Sequence, residues 1–152
     1  MDNIIILWSI MLIIFAIITS VIDIKTKKVP NSLILVMFIA WILTMMPMLI
    51  VNTNEAATKI YDSFLGFALG GGLFLLVYFI SRKGLGGGDV KFMAAAGLYL
   101  GFYSVIPAMF IGSILSALAA LILLLLKKIK RKDTIPLTPF LSIGMVVAVL
   151  LR

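Results

Sequence analysis

The chain has 152 residues, of which 63% are hydrophobic and 12% are charged. Soluble domains are typically about 25% charged and at most about half apolar, so the composition excludes an ordinary soluble protein and indicates an integral membrane protein. The sequence has no Cys and no His, which excludes disulfides, thiolate nucleophiles, imidazole bases and the usual zinc ligands. Catalysis would therefore have to use carboxylates, hydroxyls or Lys.

Long apolar runs predict the membrane spans. They cover residues 4–22, 33–51, about 64–80, 92–126 and 139–151. A helix crosses the bilayer with about 20 apolar residues, so each of the first three runs predicts one span. The fourth is long enough for two spans, with a break expected at 101–107, where Gly, Ser and Pro cluster. The last run is short for a crossing. The expected fold is one all-α domain over residues 1–152, a bundle of about six transmembrane helices.

Basic residues mark alternate connections between these spans. The segments 23–31, 81–91 and 127–133 hold 11 of the 13 Lys and Arg residues, which leaves Lys59 and Arg152 for the other side. By the positive-inside rule the three basic connections face the cytoplasm, and both termini lie outside. The apolar runs and the positions of the basic residues, which account for the net charge of +7, therefore predict a multi-pass protein of the cell membrane. Contact of these residues with anionic lipids is compatible with this role, and no nucleic-acid partner is expected.

Two acidic residues border predicted spans on the same, cytoplasmic side. Asp23 follows the first apolar run, and Asp89 precedes the run that opens at Phe92. An ionisable group at a membrane boundary is a candidate functional residue. Two carboxylates that meet can share one proton and activate a water molecule for peptide hydrolysis, with no metal or cofactor.

Several other functions compete for the same residues. The glycine-rich segment 84–89 could be a plain flexible turn. It could also be a phosphate cradle, although it lacks the Gly-Lys-Ser/Thr ending of a P-loop. Serine chemistry with a Lys base would use Ser81 or Ser142 with Lys91, but no spacing singles out either serine. A small transporter or channel subunit that passes protons or cations along the two aspartates is the non-enzymatic alternative.

Two short motifs resemble those of a known family. The segment from Asp23 to Val29-Pro30-Asn31 and the segment Gly86-Gly87-Gly88-Asp89-Val90-Lys91 are similar to the signature motifs of the type IV prepilin peptidases, the GxGD-type aspartic proteases of bacterial and archaeal membranes. The proline-rich segment 136–140, with Pro136 and Pro139, resembles a third feature of that family. The order and spacing match over nearly the whole chain.

The resemblance implies a specific activity. Asp23 and Asp89 would be the catalytic dyad, and no metal or cofactor would be needed. Supporting motif residues would be Gly86, Gly87, Gly88, Lys91, Pro30, Asn31, Pro136 and Pro139. The substrate would be a prepilin or prepilin-like helix, cleaved on the cytoplasmic side after its short basic leader.

The resemblance is greatest to minimal members, such as those serving Flp/Tad pili and archaeal flagellins. Larger members carry a four-cysteine zinc domain and also methylate the new N-terminus. Neither that domain nor methyl transfer is expected here. Self-association into a homo-oligomer is left open.

Two further sequence patterns predict features of the helix bundle. Tyr61-Asp62 resembles the Tyr-Asp motif of presenilin-like proteases, but Asp62 is expected at the outer end of its span, too far from Asp89 to form a dyad. The four-residue spacings Gly66/Gly70 and Gly97/Gly101 predict close helix packing within the bundle. The run Gly70–Gly72 indicates either a bend or a close approach.

Overall fold

The computed structural model describes residues 3–81, 85–128 and 135–152. Within these ranges the chain forms five helices and no strand. They are α1 (Asn3–Thr26), α2 (Asn31–Val51), α3 (Thr53–Ile80), α4 (Gly87–Leu125) and α5 (Thr138–Leu150).

The first four helices are long and apolar enough to cross a membrane, which confirms an all-α membrane protein. The 13 residues of α5 span only about 20 Å. Arg82, Lys83, Gly84 and most of the third basic segment lie outside the described residues.

Helix α4 contains the expected break. Gly101 has φ 71° and ψ −179°, which divides α4 into helical segments 87–100 and 102–125. A Cβ added to Gly70 of α3 would lie 2.7 Å from the Met93 carbonyl oxygen and 3.1 Å from Val105 Cγ2. Because residues on both sides of the break meet the same residue of α3, the chain reverses at Gly101. Pro107 lies inside the second segment, and the helix continues through it.

Glycines bring α3 and α4 into direct backbone contact. A Cβ on Gly66 or on Gly97 would collide with the backbone of the other residue, and a Cβ on Gly71 would lie 2.8 Å from Ala94 Cβ. A Cβ on Gly72 would meet nothing within 4 Å. The predicted packing within the bundle is thus confirmed, and the glycine run marks a close approach inside a helix that continues to Ile80.

The reversal is capped at the end of the bundle near Asp62. Asp62 Oδ1 accepts a hydrogen bond from the Phe102 backbone N–H at 3.0 Å. Phe102 begins the second segment of α4, so this contact satisfies one of the backbone donors that a helix start leaves open. Arg152 donates to the Tyr99 carbonyl oxygen nearby, at 3.4 Å. The end of α5 is thereby attached to the same turn.

Aromatic residues hold α1 and α2 against α4. The buried Tyr99 donates from its hydroxyl to the Met37 carbonyl oxygen at 2.6 Å, and its ring packs edge-on against Trp8, with ring centres 6.4 Å apart. Trp8 Nε1 in turn donates to Thr44 Oγ1 at 2.9 Å. These contacts fix the positions of the two helices that flank the connection after Asp23.

Candidate active site

Residues from three helices meet at the end of the bundle opposite Asp62. Asp23 lies in the last turn of α1 and is only 4% exposed, and Asp89 lies in the first turn of α4. Thr138, the first residue of α5, is fully buried and contacts both. Its backbone N–H donates to Asp23 Oδ2 at 3.2 Å, and its hydroxyl donates to Asp89 Oδ1 at 3.1 Å. The two predicted aspartates are therefore brought together.

A cavity of about 250 Å³ opens beside the two aspartates. Its walls come from the connection after α1 and the glycine segment before α4. It is lined by Asp23, Lys27, Lys28, Val29, Gly86, Gly87, Gly88 and Asp89. A small cavity with two carboxylates at its wall can hold a water molecule and a peptide carbonyl between acidic oxygens.

Lys27 ends α1 and turns the chain toward this cavity. Its φ of 52° is in the left-handed region, the backbone conformation that commonly ends a helix. Its N–H donates to the Asp23 carbonyl oxygen at 2.7 Å. This turn places both Lys27 and Lys28 along the wall of the cavity. Their sequence pattern predicts only that they lie in a cytoplasmic connection.

The glycine segment fits closely around Asp89. A Cβ on Gly86 would lie 2.8 Å from Asp89 Oδ2, and a Cβ on Gly88 would lie 3.0 Å from Val29 Cβ. A Cβ on Gly87 would meet nothing within 4 Å. A side chain at the first or third position of the motif would therefore have to displace Asp89 or Val29, whereas the middle position has room for one.

The remaining motif residues support the cavity without lining it. Lys91 Nζ donates to Asn31 Oδ1 at 3.1 Å. Pro30 is the extended residue before α2, and its carbonyl accepts from Leu33 N–H at 3.2 Å. Pro136 and Pro139 flank Thr138 in the chain, and neither lines the cavity.

Thr138 is the site residue that sequence reasoning missed. The segment 136–140 stands out in the sequence for its prolines. Thr138 is its one residue with a side-chain hydrogen-bond donor. Its contacts reach Asp23 and Asp89 across 115 and 49 positions of the chain, so no local sequence signal points to it.

The serine alternative finds no matching geometry. The Ser142 hydroxyl is hydrogen-bonded to the Thr138 carbonyl oxygen at 2.8 Å and to Ser20 Oγ at 2.7 Å, and Lys91 contacts Asn31. Across the described ranges, no three His, Cys, Asp or Glu side chains form a metal-binding group.

These features define a class of protein, a helical membrane protein with two carboxylates at one polar cavity near a helix boundary. Residues 10–124 match the model of the type IV leader peptidase family, and the chain belongs to that family. Asp23 and Asp89 lie within the matched residues, whereas Thr138 lies beyond them.

Two relatives carry the same name. The chain is similar to the prepilin leader peptidase/N-methyltransferase of Bacillus subtilis (strain 168), with 27% identity over 134 residues, 88% of this chain and 51% of that protein. It is also similar to that of Escherichia coli (strain K12), with 29% identity over 135 residues, 86% of this chain and 56% of that protein. The chain thus spans about half the length of these relatives. No solved structure matches it significantly.

Proposed function

We propose that this protein is a membrane aspartic endopeptidase that removes the short basic leader from prepilins or prepilin-like proteins. The observation that carries the proposal is the approach of Asp23 and Asp89 to one residue, Thr138, beside a small polar cavity. Family membership supports the same activity.

The two carboxylates would share the proton transfers of hydrolysis. One, ionised, takes a proton from the water that attacks the scissile carbonyl carbon; the other, protonated, donates a hydrogen bond to the carbonyl oxygen. When the tetrahedral intermediate collapses, the C–N bond breaks and the leaving amine receives a proton from the pair. The single shared proton belongs to the pair rather than to either residue.

The location of the cavity suits a substrate that is itself a membrane helix. Asp23 and Asp89 lie at helix ends, where an apolar substrate helix would emerge from the bilayer and could unwind for cleavage. The chain has three lysines at this end, Lys25, Lys27 and Lys28, which supports a cytoplasmic site and an N-terminus on the outer side. The break of α4 at Gly101 supports two spans within α4, as a bundle of six spans with both termini outside requires. The two relatives are also named N-methyltransferases. Our proposal concerns peptide hydrolysis alone.

Cleavage by purified protein in liposomes tests the proposal. The probe is a prepilin with a short basic leader, and mass spectrometry identifies the two products. We expect Asp23→Asn and Asp89→Asn each to lower the cleavage rate by about 100-fold or more. Asp62→Asn is the matched control, since it removes a carboxylate at the opposite end and keeps an oxygen acceptor for Phe102. Substantial cleavage by either dyad variant would refute the mechanism.

The same liposomes test the transporter alternative. A pH-sensitive dye trapped inside them reports proton flux. Flux that depends on Asp23 and Asp89, without any cleaved product, would favour a channel or transporter. We expect cleavage without such flux.

A further inference from the structure

We infer that Thr138 is a positioning residue that sets the mutual orientation of the Asp23 and Asp89 carboxylates. The inference rests on the proposed peptidase function and assigns a role within that site. It makes the start of α5 a third part of the site, alongside the end of α1 and the start of α4.

Thr138 makes one hydrogen bond through its backbone and another through its side chain. The Thr138 backbone N–H holds Asp23 Oδ2, a contact that most residues at this position could make. The Thr138 hydroxyl holds Asp89 Oδ1, and only a hydroxyl residue of this size can do so without moving the backbone. Each carboxylate thus has one oxygen fixed by Thr138, which restricts rotation of the carboxylate about its last torsion.

Restricting that rotation matters because proton transfer depends on alignment. A carboxylate that is free to turn spends part of its time with neither oxygen directed at the water or at the scissile carbonyl, and small misplacements lower the rate of the chemical step. Because Thr138 is fully buried, water cannot easily replace the lost hydroxyl. On this inference Thr138 acts on the chemical step, so its hydroxyl should affect kcat and not KM.

The neighbouring contacts keep Thr138 itself in place. Its carbonyl oxygen accepts from the Ser142 hydroxyl at 2.8 Å, and Ser142 also contacts Ser20 Oγ at 2.7 Å and the Ala16 carbonyl oxygen at 3.1 Å. These contacts fasten the first turns of α5 to α1, about one and two turns before Asp23. Thr19, in α1, provides the matched control: it is also fully buried, and its hydroxyl donates to the Phe15 carbonyl oxygen of its own helix at 2.7 Å.

The test compares kcat and KM for prepilin cleavage by Thr138→Val, Thr138→Ser and Thr19→Val in liposomes. Thr138→Val keeps the shape and the backbone N–H but removes the hydroxyl. We expect kcat to fall about tenfold, the effect of losing one hydrogen bond to a charged group, with KM unchanged. Thr138→Ser should restore kcat to within about twofold of the original protein. Thr19→Val makes the same change at a buried threonine whose hydroxyl bonds neither aspartate, and it should leave kcat unchanged.

Three results would overturn the inference. They are full activity of Thr138→Val, an equal loss in Thr138→Ser, and a loss that appears in KM alone. Thermal unfolding in detergent accompanies each measurement and identifies a variant that fails to fold. If Thr138→Val does not fold, Thr138→Ala, which also removes the hydroxyl, takes its place. If the original protein cleaves and the Asp variants do not, the peptidase proposal stands whatever Thr138 does.

Discussion

Lys91 donates a hydrogen bond from Nζ to Asn31 Oδ1 at 3.1 Å, although 60 residues separate them in the chain. Two residues before Asn31, Val29 packs against Gly88, where an added Cβ would lie 3.0 Å from Val29 Cβ. The two motif segments therefore contact each other directly. This contact and the two hydrogen bonds of Thr138 connect the segments that carry Asp23 and Asp89.

Gly86 and Gly87, two of the three consecutive glycines before Asp89, should respond differently to alanine. We expect Gly86→Ala to lower kcat about 10- to 100-fold, because an oxygen of the Asp89 carboxylate must move to make room for the added Cβ. A displaced reacting group typically lowers the reaction rate by a factor of this order. Gly87→Ala should be nearly neutral, since a Cβ there meets nothing within 4 Å. Kinetics of prepilin cleavage in liposomes measure both.

Backbone strain does not contribute to the difference expected between Gly86→Ala and Gly87→Ala. Neither glycine has a positive φ, so alanine fits the local conformation at both positions. The thermal unfolding temperatures of Gly86→Ala and Gly87→Ala should therefore be similar. Equal activity of the two variants would show that the space around Asp89 does not limit catalysis.

Apolar runs predict the helices well because backbone groups in lipid have to be satisfied within the helix. They locate the helix ends less well. Helix α3 begins at Thr53, well before the apolar run at 64–80, because its polar first turns are capped by Asn52, whose side chain accepts from Glu55 N–H at 3.4 Å. Hydropathy carries no signal for that extension.

The site could be predicted in part. Asp23 and Asp89 stand out in the sequence because acidic residues at span borders are rare and each lies in a recognisable motif. Thr138 does not, since its contacts join residues 115 and 49 positions away and no local pattern encodes them. The break at Gly101 was predicted from the local cluster of Gly, Ser and Pro, whereas the partner that caps it, Asp62, comes from another helix.

Asp62 should contribute to stability rather than to catalysis. Asp62→Ala removes the acceptor for Phe102 N–H, and we expect a loss of about 1 kcal/mol in the free energy of unfolding, as for other helix caps. Asp62→Asn keeps an oxygen acceptor and should lose less. Chemical denaturation in detergent micelles measures the difference. Loss of cleavage in both variants at temperatures where they stay folded would show that the opposite end of the bundle takes part in the reaction.

The orientation of the site can be measured with single cysteines, because the chain contains none of its own. Lys25 lies at the end of α1 near Asp23, and Asn54 lies at the start of α3, at the opposite end; both are exposed. If the basic connections face the cytoplasm, a membrane-impermeant maleimide should label Asn54→Cys in intact cells and Lys25→Cys only after permeabilisation. The reverse pattern would place Asp23 and Asp89 outside the cell. Prepilins would then have to be cleaved after their leader had crossed the membrane, which a short basic segment does not readily do, so the proposed substrate class would have to be abandoned.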